Sequence, residues 1–582
     1  MADNQIECDV LVVGGGIGGC CAAIAAKETG KVDKVVLVEK SHTGRTGPSA
    51  FVGGIYLGHL SEDGPDETLL KGLIEGFTLG GDLCSQKAFL KLIEYGPKTI
   101  ENLERWGAKF VRGADGKYVR VYQRGSNTMR LDGGGLPLME ALRRYALRIG
   151  VQVIDWVTVT DLLTRDKRVV GAVGIGSRTA ELFTFSSKAT ILATGGTIFK
   201  SRQPGHRQLS GDGWAMAYRA GADMAGADHD TPNVYGATLE IGPGNGYYLS
   251  QGARLLNSKM EEYIKKWPEL ARVNSPESHA PLMALEARVG NGPPMWLDLR
   301  DFTPEQVEDI YRSIPYAAKR WEKLGFIKNK KFVKLCEYAP EGPRAFGTGV
   351  LLNGDTFESR NLACLFACGE AATYYQTSGG LNNAATSGII AAESAADKAA
   401  GMDSKSVDRN QVEELKEVTL APLRRKEGIE PEYGLTMIQE TLHPYFVNLI
   451  RSEKNLKKAL GKVEDIKNDV VPYLRAYDPH YLRLTSDVRN MTLCAEIFLR
   501  SALERKESRW GALREDYPYT DNVNWLKWVI VSKDAASGEM LVRTEDIPAE
   551  EFAAFKLRKE CVLHPFWTRA EELGYWQRPK NK

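Results

Sequence analysis

"CDVLVVGGGIGGCCAAIAAKETGKVDKVVLVEK", residues 8–40, decides the fold. Its apolar run Val10–Val13 has the unbroken hydrophobicity of a strand buried on both faces of a parallel sheet. Gly14, Gly16 and Gly19 then form GxGxxG between that strand and a small-residue helix from Cys20 to Lys27. The first glycine allows a tight turn, the second lets a pyrophosphate approach the backbone, and the third lets helix and strand pack closely. The helix N-terminus offers unpaired N–H groups and the positive end of its dipole to the phosphates. "KVVLVEK" is a second buried strand that ends in Glu39, where a carboxylate accepts hydrogen bonds from ribose hydroxyls. A bare GxGxxG also occurs in packing turns. With strand, helix and acid all in place, dinucleotide binding is the expected reading.

Composition points to a multidomain globular protein. At 582 residues the chain exceeds one ordinary core. Its 58 glycines, about a tenth of the residues against a usual ~7%, suit a backbone that closes around a large ligand. A net charge of +1 argues against a surface dedicated to nucleic acid or anionic lipid. The first residues lack the pattern of a secretory leader, and no run reaches the ~18 apolar residues of a membrane span. A cytoplasmic protein with no direct membrane span and no nucleic-acid partner is therefore expected. The nine cysteines form no CxxC pair or framework, so they read as buried reduced thiols and no metal site is expected.

The fold class expected is α/β: a Rossmann-like nucleotide domain, an inserted α+β capping domain and a C-terminal helical domain. "VQVIDWVTVTDLLTRDKRVVGAVGI" (151–175) reads as a strand and a hairpin-like pair, followed by the strand "ATILATGG" (189–196). Residues 224–345 change texture, rich in Gly, Pro and Tyr with amphipathic helical stretches such as "TPEQVEDIYRSIPYAAKRWEKLG" (303–325). "LACLFACGEAA" (362–372) returns to a buried strand and turn, and "AATSGIIAAESAADKAA" (384–400) is an Ala-rich helix packing on the sheet. The expected boundaries are 1–223 and 346–406 for the nucleotide domain, 224–345 for the cap, 407–540 for the helical domain and 541–582 for a C-terminal extension.

"ATILATGG" followed by "SGDGWAMAYRAGA" (210–222) and "LFACGEAA" (365–372) resembles the flavoprotein subunits of succinate dehydrogenase and fumarate reductase. That family also includes L-aspartate oxidase and the adenylylsulfate reductase alpha subunit. "SALERKESRWGALREDYPYTDNVNWLKWVIV" (501–531) is similar to the family's Arg-and-acid segment before its terminal strands. The resemblance covers most of the chain in the expected order and implies FAD. It implies that Ala193, Thr194 and Gly195 line the adenosine side, that Asp212 approaches the flavin end, and that Glu370 holds the ribityl chain. The backbone of Asn383, Ala384 and Ala385, opening the Ala-rich helix, is expected at the flavin pyrimidine edge, where a helix N-terminus stabilises the charge gained on reduction. Lys40, Arg45, Thr46, Gly53, Gly54 and Val157 complete the expected FAD contacts. The bland alternatives are a turn residue for Asp212 and a solvated acid for Glu370.

His42 lies in "VEKSHTGRTGPSAFVGG" (38–54). In the family's covalent members the histidine that carries the flavin stands in Arg-Ser-His-Thr, six residues before a Gly-Gly pair. The matching position here is Gly47, after Arg45–Thr46, so His42 falls five residues early and FAD is expected to be non-covalent.

The substrate residues depart from the family. Its pocket histidine, Thr-Glu pair, proton-delivering arginine and second His–Arg pair align with Asn233, Asn245–Gly246, Pro281, Gln376 and Gly380. The same stretches carry Tyr247, Tyr248, Tyr374 and Tyr375, which can pack as interface residues or meet an aromatic substrate and donate a proton. Tyr375, Tyr248 and Arg288 are the candidate catalytic residues; His279 and His229 read as loop residues. Arg505, Glu507, Arg509, Arg514, Glu515 and Asp516 are expected to form a structural ion-pair network. The reading is an FAD-dependent oxidoreductase transferring hydride to or from an activated C=C bond of a small non-fumarate substrate, with an aromatic one fitting the tyrosines. An iron–sulfur electron-transfer subunit is the expected partner. The alternatives are an adenylylsulfate-reductase-like alpha subunit, or a flavin electron-transfer subunit without substrate chemistry of its own.

Overall fold

The computed structural model describes residues 3–52, 55–57, 83–123, 126–203, 205–229, 234–236, 245–268, 276–340, 342, 348–373, 380–403, 406–509, 511–548 and 559–578. β1 (Asp3–Val13) runs into the glycine turn, α1 (Ile17–Glu28) starts from Gly16, and β2 (Val35–Glu39) returns parallel to β1. Next in the chain come β3 (Gln152–Asp155), β4 (Val157–Arg165), β5 (Arg168–Gly176), β6 (Leu182–Leu192) and, much later, β7 (Leu365–Ala367). They build one sheet in the order β3-β2-β1-β6-β5-β4, with β7 also on β6. β6 is long enough to take β5 antiparallel along Leu182–Ser186 and β7 parallel along Thr190–Leu192. β4 and β5 form the expected hairpin. Its turn residues Asp166 and Lys167 both have positive φ, 53° and 54°, which matches the right-handed twist of the flanking strands.

Val10, Leu11 and Val12 of β1 and Ile191 and Leu192 of β6 have no exposed surface, as a strand covered on both faces requires. The cover includes α1, α2 (Asp212–Arg219) and α3 (Gly380–Ala400). α1 and α3 meet through small residues: a Cβ on Gly388 would fall well inside contact distance of the Gly18 carbonyl.

The cap has its own antiparallel sheet, ordered Val234–Gly236, Cys336–Pro340, Met295–Asp298, Arg254–Leu256. The amphipathic stretch at 303–325 is two helices, Pro304–Ser313 and Pro315–Lys323. Thr303 and Gln306 close a reciprocal capping box on the first, and Pro315, which has no N–H to continue that helix, opens the second. The helical part follows α3 and includes α4 (Glu453–Asp465) and α5 (Pro479–Glu504).

Two features cut across the expected boundaries. The strands Lys527–Lys533 and Met540–Asp546 pair as a hairpin spanning residue 540, and this hairpin joins Met224–Ala225 and Gly349–Val350 in one sheet. The terminal helix Pro565–Glu572 is no appendage: Phe566 and Trp567 are buried in the cap core with Tyr263 and Trp267.

Candidate functional site

A cleft with about 1170 Å³ of empty space, counting its solvent-open mouth, lies along the C-terminal ends of β1, β2 and β6. That is where ligands bind on parallel sheets. Gly14, Gly16, Glu39, Lys40, Thr46, Val157, Ala193, Thr194, Gly195, Asp212, Glu370 and Ala384, all expected FAD contacts, line it. Gly14 has φ +113°, and a Cβ there would strike the Ala193 carbonyl. Gly19 does not reach the cleft; it lets α1 close on the Gly14 carbonyl. At Gly16 a Cβ would have only Ser49 Oγ, at 3.5 Å, for a neighbour, so the backbone here is open to a ligand. Glu39 Oε2 accepts from Gly15 N at 2.6 Å, which aims the carboxylate across the turn. These residues fit a dinucleotide: bare backbone at the helix N-terminus for a pyrophosphate, and an oriented acid for a ribose.

Asp212 lines the cleft with its carboxylate already engaged by neighbouring side chains. Its Oδ2 lies 2.7 Å from Lys40 Nζ, and its Oδ1 accepts from Ser210 Oγ at 2.9 Å and Asn490 Nδ2 at 3.0 Å. Lys40 directly follows Glu39, so this pair stands where β2 ends. Asp487 of α5 extends the cluster, with Lys200 at 2.9 Å and Arg483 at 3.1 Å. Burial alone would lower the Lys40 ammonium, but Asp212 and Asp487 outweigh it and hold it above its ordinary value. Burial would raise Asp487; Lys200, Lys40 and Arg483 outweigh that and hold it well below the usual carboxylate range.

The Ala-rich helix starts at Gly380, three residues before Asn383. Gly380, Leu381 and Ala384 therefore face the cleft, while Asn383 and Ala385 turn away and are buried. Arg45 is also off the cleft, half-exposed and paired with Glu140. Gly53 and Gly54 lie outside the described residues. His42 does not line the cleft: its Nδ1 sits 2.8 Å from Asp155 Oδ2. Gly47 does line it, with nothing within 4 Å of where a Cβ would stand.

The candidate catalytic residues fare less well. Tyr248 is buried in the cap core with its ring 5.4 Å from Trp321, so packing explains it. Arg288 ends the cap helix Pro276–Arg288, is exposed, pairs with Glu515 at 2.8 Å and does not line the cleft. That pairing removes Glu515 from the expected ion network. The rest forms: Arg505 bridges Asp228 and Glu507, Arg509 grips Glu507 at 2.7 and 2.8 Å, and Arg514 grips Asp516 at 2.9 and 3.0 Å. His279 is buried within the cap helix, not in a loop. Tyr374, Tyr375, Asn233 and Gln376 lie outside the described residues, as do the side chains of Tyr247 and His229.

Sequence reading missed Ser49, whose Oγ accepts from Ile17 N at 3.2 Å in the first turn of α1, and Gln208 and Cys368 of the cleft wall. Cys368 and Ser49 lie within the motif-bearing stretches 362–372 and 38–54, yet nothing in those stretches singles them out, and Gln208 lies in none; the fold brings them to the wall. Among the described residues the cleft's charged groups are Glu39, Lys40, Asp212 and Glu370, with no histidine or arginine. Also among the described residues, no cluster of three His, Cys, Asp or Glu is placed to hold a metal, and no helix is long and apolar enough to cross a membrane.

Residues 9–389 match the family described as FAD binding domain, and residues 437–560 match fumarate reductase flavoprotein C-term. The chain is 26% identical to one subunit of the fumarate reductase (CoM/CoB) of Methanothermobacter marburgensis, covering 92% of this chain and 98% of that one. It is 27% identical to the fumarate reductase flavoprotein subunit of Haemophilus influenzae, covering 90% and 92%. The fold is also that of adenylylsulfate reductase from Archaeoglobus fulgidus, with a TM-score of 0.79 at 24% identity over 94% of this chain and 96% of that one. With the glycine turn, acid and cleft in place and both families matched in order, the chain belongs to the FAD-dependent oxidoreductases of the fumarate reductase and succinate dehydrogenase flavoprotein family.

Proposed function

We propose that the chain holds FAD without a covalent link and exchanges hydride with an activated C=C bond of a substrate less anionic than fumarate. We place it as the flavoprotein subunit of an enzyme whose iron–sulfur clusters sit on another chain. FAD, when bound, supplies the two-electron carrier. Gly47 carries the first part: an open glycine stands where a histidine would have to reach the flavin, and Asp155 holds His42 off the cleft.

The chain's own residues set the rest of the site. The first turn of α1 holds the pyrophosphate, Glu39 orients the ribose, and the first turn of α3, from Gly380, turns its N–H groups toward the isoalloxazine. Asn233, Asn245–Gly246, Pro281, Gln376 and Gly380 cannot supply the cations that bind two carboxylates, which supports a less anionic substrate. Tyr375 is the proposed proton donor, so Tyr375→Phe should lower kcat by roughly 10²–10⁴-fold with the flavin spectrum unchanged. The partner assignment draws on the relatives, two of which are named as subunits.

Acid precipitation of the flavin-loaded protein is the first test, and all flavin is expected in the supernatant. Yellow colour retained on the precipitate would overturn the Gly47 reading. The second test follows reoxidation of the reduced protein by aromatic enoates, fumarate and adenylylsulfate. Aromatic enoates should react, and fumarate at least about a hundredfold more slowly, since a missing polar contact costs this much or more. Fastest reaction with fumarate would mean a rebuilt dicarboxylate site. Reaction with adenylylsulfate alone would favour the sulfur chemistry its structural likeness suggests, and reaction with none would favour a pure electron-transfer subunit.

A further inference from the structure

A second, larger concavity lies away from the cofactor cleft, where the cap meets the helical domain. It encloses about 1620 Å³ of space open to solvent, between the end of the cap helix Pro276–Arg288 and the face of α4. One wall carries Lys454, Lys458 and Lys462 at i, i+4 and i+8, hence one above another along about 12 Å of helix. All three are exposed, and none has an acidic partner among the described residues. The same helix does pair a lysine elsewhere: Lys457 reaches Glu453 at 2.5 Å. The unpaired lysines are those that face the groove. Its floor is apolar, built from Pro293, Tyr445, Phe446 and Ile450, and Phe446 is 54% exposed. The acids present are Glu440 and Glu515, and Glu515 is already held by Arg288.

We propose that this groove docks an acidic amphipathic helix of a partner protein. A row of cations about 6 Å apart matches carboxylates that recur every fourth residue of a helix, whose axial spacing is the same. The apolar stripe beside those carboxylates would cover Phe446 and Pro293, which otherwise stay in water. A nucleic acid backbone matches the charge spacing but brings no apolar face for that floor, and the net charge of +1 offers no wider basic surface to extend it. The partner predicted is thus a protein chain with Glu or Asp at i, i+4 and i+8 flanked by Leu, Phe or Met. The proposal does not depend on the redox reading, and its test needs no turnover.

The probe is a fluorescein-labelled helical peptide of about 20 residues, ~30 Å long, with glutamates at that spacing and leucines on the adjoining face. Anisotropy is read on the full FAD-loaded chain. Binding should weaken at least about tenfold in the triple variant Lys454→Glu, Lys458→Glu, Lys462→Glu, and again in Phe446→Ser, with flavin content unchanged. Raised salt should weaken it too, mainly through the association rate. A peptide of the same composition with its glutamates scattered should bind at least about tenfold more weakly. The proposal fails if the two peptides bind alike, if the triple variant binds like the parent, or if a single-stranded oligonucleotide displaces the peptide. A fall in flavin content in the triple variant would shift the decision to Phe446→Ser, on the floor of the groove.

Discussion

Two positions around the glycine turn separate packing from ligand approach. Gly19→Ala would drive a methyl into the Gly14 carbonyl, so backbone must move. Overpacking of that kind costs typically 1–3 kcal/mol, and the expected outcome is a melting temperature lower by several degrees and little bound flavin. Gly16→Ala meets only Ser49 Oγ at ordinary contact, so the apoprotein should melt as the parent does while FAD affinity falls. Titration of both apoproteins with FAD, beside their melting curves, distinguishes the two. Lys40→Met tests the buried charge cluster. Among the described residues it leaves Asp212 with the neutral donors Ser210 and Asn490, and it takes a cation from Asp487. Losing one member of a buried pair costs about 3–5 kcal/mol, and Lys40→Met/Asp212→Asn should recover part of the loss in denaturant unfolding.

At the scale of an element, caps and first turns decide what a helix presents. α3 begins at Gly380 and therefore turns Ala384 toward the cleft and Asn383 away from it; a start three residues later would have exposed a different face. The terminal helix Pro565–Glu572 is capped by His564, whose Nδ1 accepts from Phe566 N at 3.2 Å. Burial, with Arg509 nearby, pushes His564 down to about 4. A depressed group stays neutral in the fold while the unfolded chain takes up its proton first, so stability is complete above about 6.5 and is lost as pH falls toward 4. The loss should approach about 3 kcal/mol. It is read as a drop in the melting temperature across that window that His564→Asn, an uncharged cap, largely removes. An equal drop in the variant would assign the pH dependence to other groups.

At the scale of the molecule, the end of the chain fastens the cap. Phe566 and Trp567 sit in the cap core, Tyr575 OH donates to Glu286 at 3.1 Å, and Arg569 Nε donates to the Lys266 carbonyl at 2.7 Å. Each fully buried aromatic side chain is worth ~1.5–3 kcal/mol. Deleting residues 559–582 should therefore make the cap the first region cut in limited proteolysis and split thermal unfolding into two steps, while the cofactor cleft still takes FAD. A single cooperative transition in the truncated chain would mean that the cap holds itself in place.

Residues 8–40 by themselves determined the nucleotide domain, because strand burial, turn glycines and the terminal acid all act within one contiguous unit. Resemblance of the later segments to a known family then implied Ala193–Gly195, Asp212 and Glu370 for the same site, and all of them line the cleft. The offset of His42 from the glycine pair was equally legible, and the fold set that residue beside Asp155. What only the tertiary structure decided was contact between distant segments. Asp212 spends its carboxylate on Lys40, 172 residues earlier in the chain. Arg288 meets Glu515 across the seam of two domains, and Tyr248 disappears into a core built on Trp321. A charged or aromatic side chain looks the same in sequence whether its partner is a substrate or a neighbour, because the competing contact lies hundreds of residues away and exists only once the chain has folded.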